Sequence, residues 1–302
     1  QVGNNNFPYP PNPNYDWNRG LLLEQIIYSH TGDLIKKVIN EYSTLSYNRI
    51  NALKVKDWIC IGYIGGSYVS FDYIHKYGRY YYLTTWNVLS QTSEITYDQN
   101  ENEISSVSHY QYGNPVHKYV TEKSTVNSDG SLGKIVFTYP DDVTNPEIVK
   151  STPEIISHLK EKNVVAPVLK KEKYKDQKII GGEIRTFDFY NNNSDYIYPS
   201  RFYILEDDIY LLNTDVLKYD LNGNICQLFD KAYGKFSFFW AYEEQYPIVS
   251  AENISWDELS TVIQMIQPEI DFFLENLGNL EEPTQRLELD NFNESLRENL
   301  DE

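Results

Sequence analysis

The sequence predicts a mainly β protein: an antiparallel hairpin meander with one short central helix and amphipathic helices at its C-terminal end. Three observations predict it. First, a unit recurs in which an apolar-aromatic strand ends in Tyr or Tyr-Asp, passes through a polar turn of Asn, Asp or Gly, and returns as a second alternating strand. The clearest copy is VLKYDLNGNICQLFD (216–230), where Asn222-Gly223 is expected to supply the φ > 0 conformations of a tight hairpin. Looser copies surround Gly32, Asn100, Asp129-Gly130 and Asn192. Second, Tyr occurs 27 times in 302 residues. An apolar ring carrying a wet hydroxyl suits antiparallel sheets with one packed and one solvated face, which accounts for the count better than a stacking surface for sugars or bases. Third, the apolar period lengthens from two to between three and four only beyond Ser255.

Residues 1–18 hold Pro8, Pro10, Pro11 and Pro13 among Asn and Tyr, and predict an extended Pro/Asn-rich arm, because proline lacks the donor that regular structure requires. A β-hairpin body is expected over 19–254. Its alternating runs, separated by turn residues, predict strands at 21–28, 34–45, 58–63, 68–75, 79–83, 88–97, 104–112, 118–126 and 132–139. A short helix is expected near 152–162: Thr152 caps, Pro153 fits the first position, Glu154 complements the dipole, and Lys160 and Lys162 suit the far end. Further strands are expected at 168–174, 184–190, 200–205, 210–212, 216–219, 224–230 and 236–242.

Residues 255–302 predict an acidic helical region. Ser255 and Glu258 form a capping box, and Leu259, Ile263, Ile266, Ile270, Phe273 and Leu277 make one apolar stripe. Pro268 predicts a kink or break, and a second helix is expected at 285–300. The apolar helices are expected to cover the exposed edge of the last strand or to dock on a downstream segment.

Charge argues against nucleic acid. With 26 Lys and Arg against 44 Asp and Glu the net is −18, the wrong sign for phosphate. Residues 257–302 hold 13 acids and two bases (Arg286, Arg297), or −11, which leaves −7 for the rest. Cys60 and Cys226 lie in apolar strand-like runs and read as two buried thiols rather than a metal or redox motif, with a disulfide left open. No apolar run approaches the length of a transmembrane helix and no stretch reads as a signal peptide. The sequence opens on Gln1 with Met265 its only methionine, which predicts a piece of a longer chain or one from which a leader was removed.

Catalytic signatures are weak. Gly62, Gly65 and Gly66 lack the lysine and hydroxyl of a phosphate loop and read as a strand turn. His30, His75, His109, His117 and His158 are scattered as surface or turn residues; His109 and His117 are close enough in sequence to meet across a hairpin, but no spacing defines a metal site. Glu206, Asp207 and Asp208, with Glu243 and Glu244 beside Trp240 and Tyr242, place acids near aromatics as a sugar-cleaving site does, although adjacent acids are more often a solvated turn. No twelve-residue calcium loop is present. No catalytic, cofactor or metal residues are expected.

The stretches WNRGLLLEQIIYSHTGDLIKKVINEY (17–42), NVVAPVLKKEKY (163–174), YDLNGNI (219–225) and FFWAYEEQYPIVSAENISW (238–256) resemble the YD-repeat, or RHS-like, surface proteins of the Bacteroidota. The motif residues are Tyr219, Asp220 and Gly223 of the hairpin, and Trp240, Tyr242, Tyr246 and Pro247 of the segment after it. The resemblance spans most of the chain and implies an all-β body, a region upstream of or within a repeat array, a secreted or outer-cell-surface location, and a structural role for those seven residues. The chain departs from the pattern by lacking an extended regular array or a candidate toxin domain, so no effector-delivery role is carried over.

The expected function is therefore a non-enzymatic scaffold or interaction segment whose partner is the rest of a longer chain, a surface protein or a glycan. Two alternatives follow: a carbohydrate-binding module with platforms at Trp17, Trp58, Trp86 and Trp240, which requires exposed aromatics on one sheet face, and, behind it, a glycoside hydrolase.

Overall fold

The structure, a computed structural model, describes residues 9–11, 15, 19–98, 102–127, 129–190, 193–241 and 245–266, and beyond these 268, 270, 271, 287, 291, 293, 294 and 297; of residues 58–64, 68–74 and 193–195 it describes the backbone. Thirteen strands pair in sequence order as one antiparallel meander. The chain divides into two compact units, residues 1–111 with 123–133, and residues 112–122 with 134–302.

The first unit is built on β1 (Glu24–Tyr28), β2 (Leu34–Ile64), β3 (Ser67–Tyr97) and β4 (Glu103–Gln111). β1 pairs with the start of β2 through Ile39, and β4 pairs with the end of β3 from Gln91 onward. Between those ladders β2 and β3 pair only with each other among the described residues, from Tyr42 opposite Leu89 to Ile64 opposite Ser67. Gly65 and Gly66 close the ribbon at φ +59° and +85°, the two positive values a two-residue hairpin turn requires. The sequence predicts five separate strands over this stretch; two continuous ones of 31 residues form instead. Ser46, Asn48, Arg49 and Asn51 end a strand only where a face must be buried, and β2, exposed at every residue from 44 to 51, carries polar residues without interruption.

The second unit contains α1 (Pro153–Glu161), β7 (Lys170–Lys175), β8 (Lys178–Tyr190), β9 (Asn193–Glu206), β10 (Ile209–Tyr219), β11 (Ile225–Asp230), β12 (Gly234–Ala241), β13 (Tyr246–Glu252) and α2 (Trp256–Met265). The strands β5 (Glu122–Val126) and β6 (Leu132–Thr138) are divided between the units. α1 starts as expected: Thr152 Oγ1 accepts from Ile155 N at 3.3 Å and Pro153 takes the first position. Its Ile155, Ile156 and Leu159 form a core with Val143, Val149 and Leu169, against which Phe187 and Phe189 of β8 pack.

α2 starts at the capping box, with Ser255 N donating to Glu258 Oε2 at 2.8 Å and Glu258 N to Ser255 Oγ at 3.2 Å. It ends at Met265, ahead of Pro268, as the proline predicts. Leu259, Val262, Ile263, Ile266 and Ile270 are buried with Val249, and Phe239 and Ala251 pack against them. Phe239 pairs with Val249, and Ala251 with Ser237, so these four residues share one face of β12 and β13. The helix thus covers a sheet face, where the sequence had suggested an edge. Phe273, Leu277 and most of the helix expected at 285–300 lie outside the described residues, and residues 287, 291, 293, 294 and 297 are helical. β13 is a strand that the periodicity does not announce, because Pro247 removes a ladder donor near its start.

Candidate functional site

The motif residues Tyr219, Asp220 and Gly223 come together at the β10–β11 connection. Asp220 Oδ1 accepts from Asn222 N at 2.9 Å and Asn224 N at 2.8 Å, and Oδ2 accepts from Asn224 Nδ2 at 2.9 Å. The side chain adds to the backbone bonds from Asp220 N to Asn224 O at 2.9 Å and from Gly223 N to Asp220 O at 3.4 Å; the connection spans 220–224 and Asn222 does not adopt φ > 0, contrary to the tight-hairpin expectation. Gly223 sits at φ +87°, and a Cβ there would lie 2.8 Å from the Tyr198 hydroxyl. Tyr219 stacks on Tyr198 with ring centroids 4.8 Å apart, and the hydroxyl of Tyr190 donates to Tyr219 O at 2.6 Å. The Tyr219 hydroxyl itself donates to Pro199 O. Burial, reinforced by Tyr198, pushes its phenol up to about 12. The phenol is held protonated and the carboxylate oxygens receive three N–H donors; both groups hold the turn.

Trp240 joins the same region through its ring nitrogen, which donates to Ile225 O at 2.9 Å. Pro247 stands opposite it across a register shift, the position where a strand tolerates a residue without an N–H. Tyr246 is 61% exposed at the start of β13. Tyr242 lies outside the described residues, as do Glu243, Glu244 and Trp17, while of Trp58 only the backbone is described. Trp86 and Trp240 are half-buried, so neither presents the open ring face of a sugar platform.

Of the hydrolase acids, the three that are described lie at one turn. Asp207 and Asp208, at φ +45° and +63°, form the two-residue turn between β9 and β10, and Glu206 pairs with Lys231 at 2.8 Å. Among the described residues, no group of three or more His, Cys, Asp or Glu is placed to hold a metal. Cys226 is buried, its thiol 3.9 Å from Asn224 O.

One cluster carries no local signal in the sequence. His117, 5% exposed, directs Nε2 at Asp142 Oδ1 and Oδ2, 3.0 and 3.2 Å away, while Nδ1 accepts from Tyr119 N at 3.0 Å. It packs against the rings of Tyr119 and Tyr139, which also stack on each other. Asp142 also accepts from Asn114 Nδ2 and Tyr139 N. The backbone donor fixes the Nε2–H tautomer and occupies the nitrogen a catalytic histidine would use as base, so this His-Asp pair locks loops together. The expectation of surface or turn histidines holds for exposed His30, His75 and His109 and fails for His117, whose acidic partner lies 25 residues away.

A cleft of about 220 Å³ opens at the start of α1, lined by Lys150, Glu154, Asp188 and Arg201 among others. Several of its polar groups are engaged. Arg201 Nε lies 3.3 Å from Asp215 Oδ1, Thr152 caps the helix, and Lys150 sits over the Tyr203 ring.

No family model matches the chain, and no curated protein matches it. Among solved structures it is similar to the crystal structure of a porin-like protein from Bacteroides vulgatus ATCC 8482, with 9% identity over 62% of this chain and 90% of that one; the TM-score of 0.21 is too low to bear on function. Among the described residues, no helix is long and apolar enough to cross a membrane.

Proposed function

We propose that this chain is a non-enzymatic scaffold or interaction segment of a secreted or cell-surface β-protein related to the YD-repeat family. One observation carries the reading. Asp220 closes a turn, the His117–Asp142 pair joins two loops and Arg201 pairs with Asp215, while the strands follow one another in sequence order, as in a protein that presents surface rather than a reaction centre. The seven motif residues support a structural role to the extent that Tyr219, Asp220, Gly223 and Trp240 hold one connection.

The test is to probe the native source with an antibody to residues 193–241. Intact cells or culture medium should be labelled, in a species larger than the 35.4 kDa of this chain. Exclusive recovery from the cytoplasm would overturn the location. Turnover of chromogenic glycosides by the purified chain, lost on Glu206→Gln, would overturn the non-enzymatic role.

A further inference from the structure

We propose that the far end of the β2–β3 ribbon is a docking element for an anionic lipid surface. The inference goes beyond the scaffold reading and does not depend on the YD-repeat resemblance, because it rests on this ribbon alone.

Backbone, composition and charge agree. Beyond the last ladder contacts of β1 and β4, the ribbon continues from Tyr42 opposite Leu89 to the Gly65-Gly66 turn. At ~3.3 Å per residue this is roughly 75 Å of two-stranded structure. Its last segment, WICIGYIGGSYVSFDYI (58–74), carries one charged residue, Asp72, in a chain that is 23% charged. Behind that segment the sign of the charge reverses. Residues 42–88 hold five cations, Arg49, Lys54, Lys56, Lys76 and Arg79, against Asp57 and Asp72, a net of +3 in a protein of net −18.

The register concentrates these cations. Lys56 stands directly opposite Lys76, so two cations share one position of the ladder behind the end segment. Asp57 Oδ1 lies 2.6 Å from His75 Nδ1 across the ribbon. Tyr77 and Tyr82, 65% and 51% exposed, lie on the same stretch, and amphipathic aromatic rings favour the headgroup level. An apolar end with a single charge, Asp72, behind a basic, tyrosine-bearing stretch is the arrangement that inserts shallowly into an interface and is held by anionic headgroups.

The same geometry limits the depth. Seven residues on the outgoing arm of the end segment span roughly 23 Å, against a hydrocarbon core of about 30 Å. A two-stranded ribbon also leaves both edges unpaired, which lipid does not tolerate. The element therefore lies in the interface and does not cross.

The experiment is flotation of the full chain with large unilamellar vesicles, either of phosphatidylcholine alone or with one-third phosphatidylglycerol, at low and high salt. The chain should float with the anionic vesicles only and be released by salt. K56E/K76E should weaken partitioning by about 25-fold or more, given the contribution of each basic residue near an anionic surface. Ile61→Asp should abolish it. Far-UV circular dichroism of both variants distinguishes lost binding from lost fold, and quenching of wild-type but not Trp58→Phe fluorescence by brominated lipid reads insertion without disturbing the basic stretch. Absence of flotation, equal binding to neutral vesicles, or a self-associated chain dispersed to monomers by Ile61→Asp would overturn the proposal, the last outcome assigning the ribbon end to a second copy of this chain.

Discussion

At Gly223 two constraints coincide: a backbone at φ +87° that disfavours any Cβ, and the Tyr198 ring occupying the space that Cβ would enter. Gly223→Ala must distort the turn and displace a ring stacked on Tyr219, so a loss of about 2 kcal/mol or more is expected in urea denaturation. Tyr219 gives a pH signature. Its folded pKa of about 12 exceeds the ordinary phenol value, so the stability it confers is complete below about pH 10 and is lost as pH rises through 12. Burial also raises the phenols of Tyr139 and Tyr174, which add to a loss in the same direction. Thermal melts between pH 9 and 12 should show a falling midpoint, and Tyr219→Phe should make that fall shallower. An unchanged slope in the variant would count against the burial argument.

Elements differ in how far local residues determine them. α1 and α2 were legible because their caps are local: Thr152 with Pro153, and Ser255 with Glu258, each fix a start within a few residues. Ser255→Ala removes one acceptor of the first turn and the hydroxyl partner of Glu258, whose carboxyl Ser255 holds below the usual range. A cost of about 1 kcal/mol is expected, and Ser255→Asp, which still caps, should recover most of it; equal losses in both would show that the cap contributes little. β2 and β3 were misread because burial, not local pattern, decides where a strand stops, and nothing in Ser46 or Asn48 announces that both faces are wet. The His117–Asp142 pair was invisible for the complementary reason: its partners meet only after the chain has folded back across 25 residues. The YD connection was half legible. Its position and strands were read correctly, but the side-chain bonds of Asp220 make a longer turn than Asn222-Gly223 alone suggests.

Across the whole molecule the core is unevenly shared. Both hydrophobic clusters among the described residues belong to the second unit, under α1 and α2. In the first unit the buried apolar side chains described on β2 and β3 are Leu83 and Val88, while Leu45, Tyr47, Ile50, Leu53, Val55, Tyr77 and Tyr82 are exposed. Strands joined mainly by their own ladder, with Lys54 Nζ donating to Tyr9 O at 2.9 Å beside it, open at a fraction of the free energy that unfolds a packed core, because little apolar surface is lost when they separate. Hydrogen exchange followed by mass spectrometry should therefore give fast exchange over 42–88 and strong protection over 178–190 and 225–241, within one sample and one pH. Global unfolding cannot produce that contrast, since it exposes every amide together. Equal protection in the two regions would mean that the ribbon is covered in solution, and repeating the measurement over a hundredfold range of protein concentration would reveal whether another copy provides the cover.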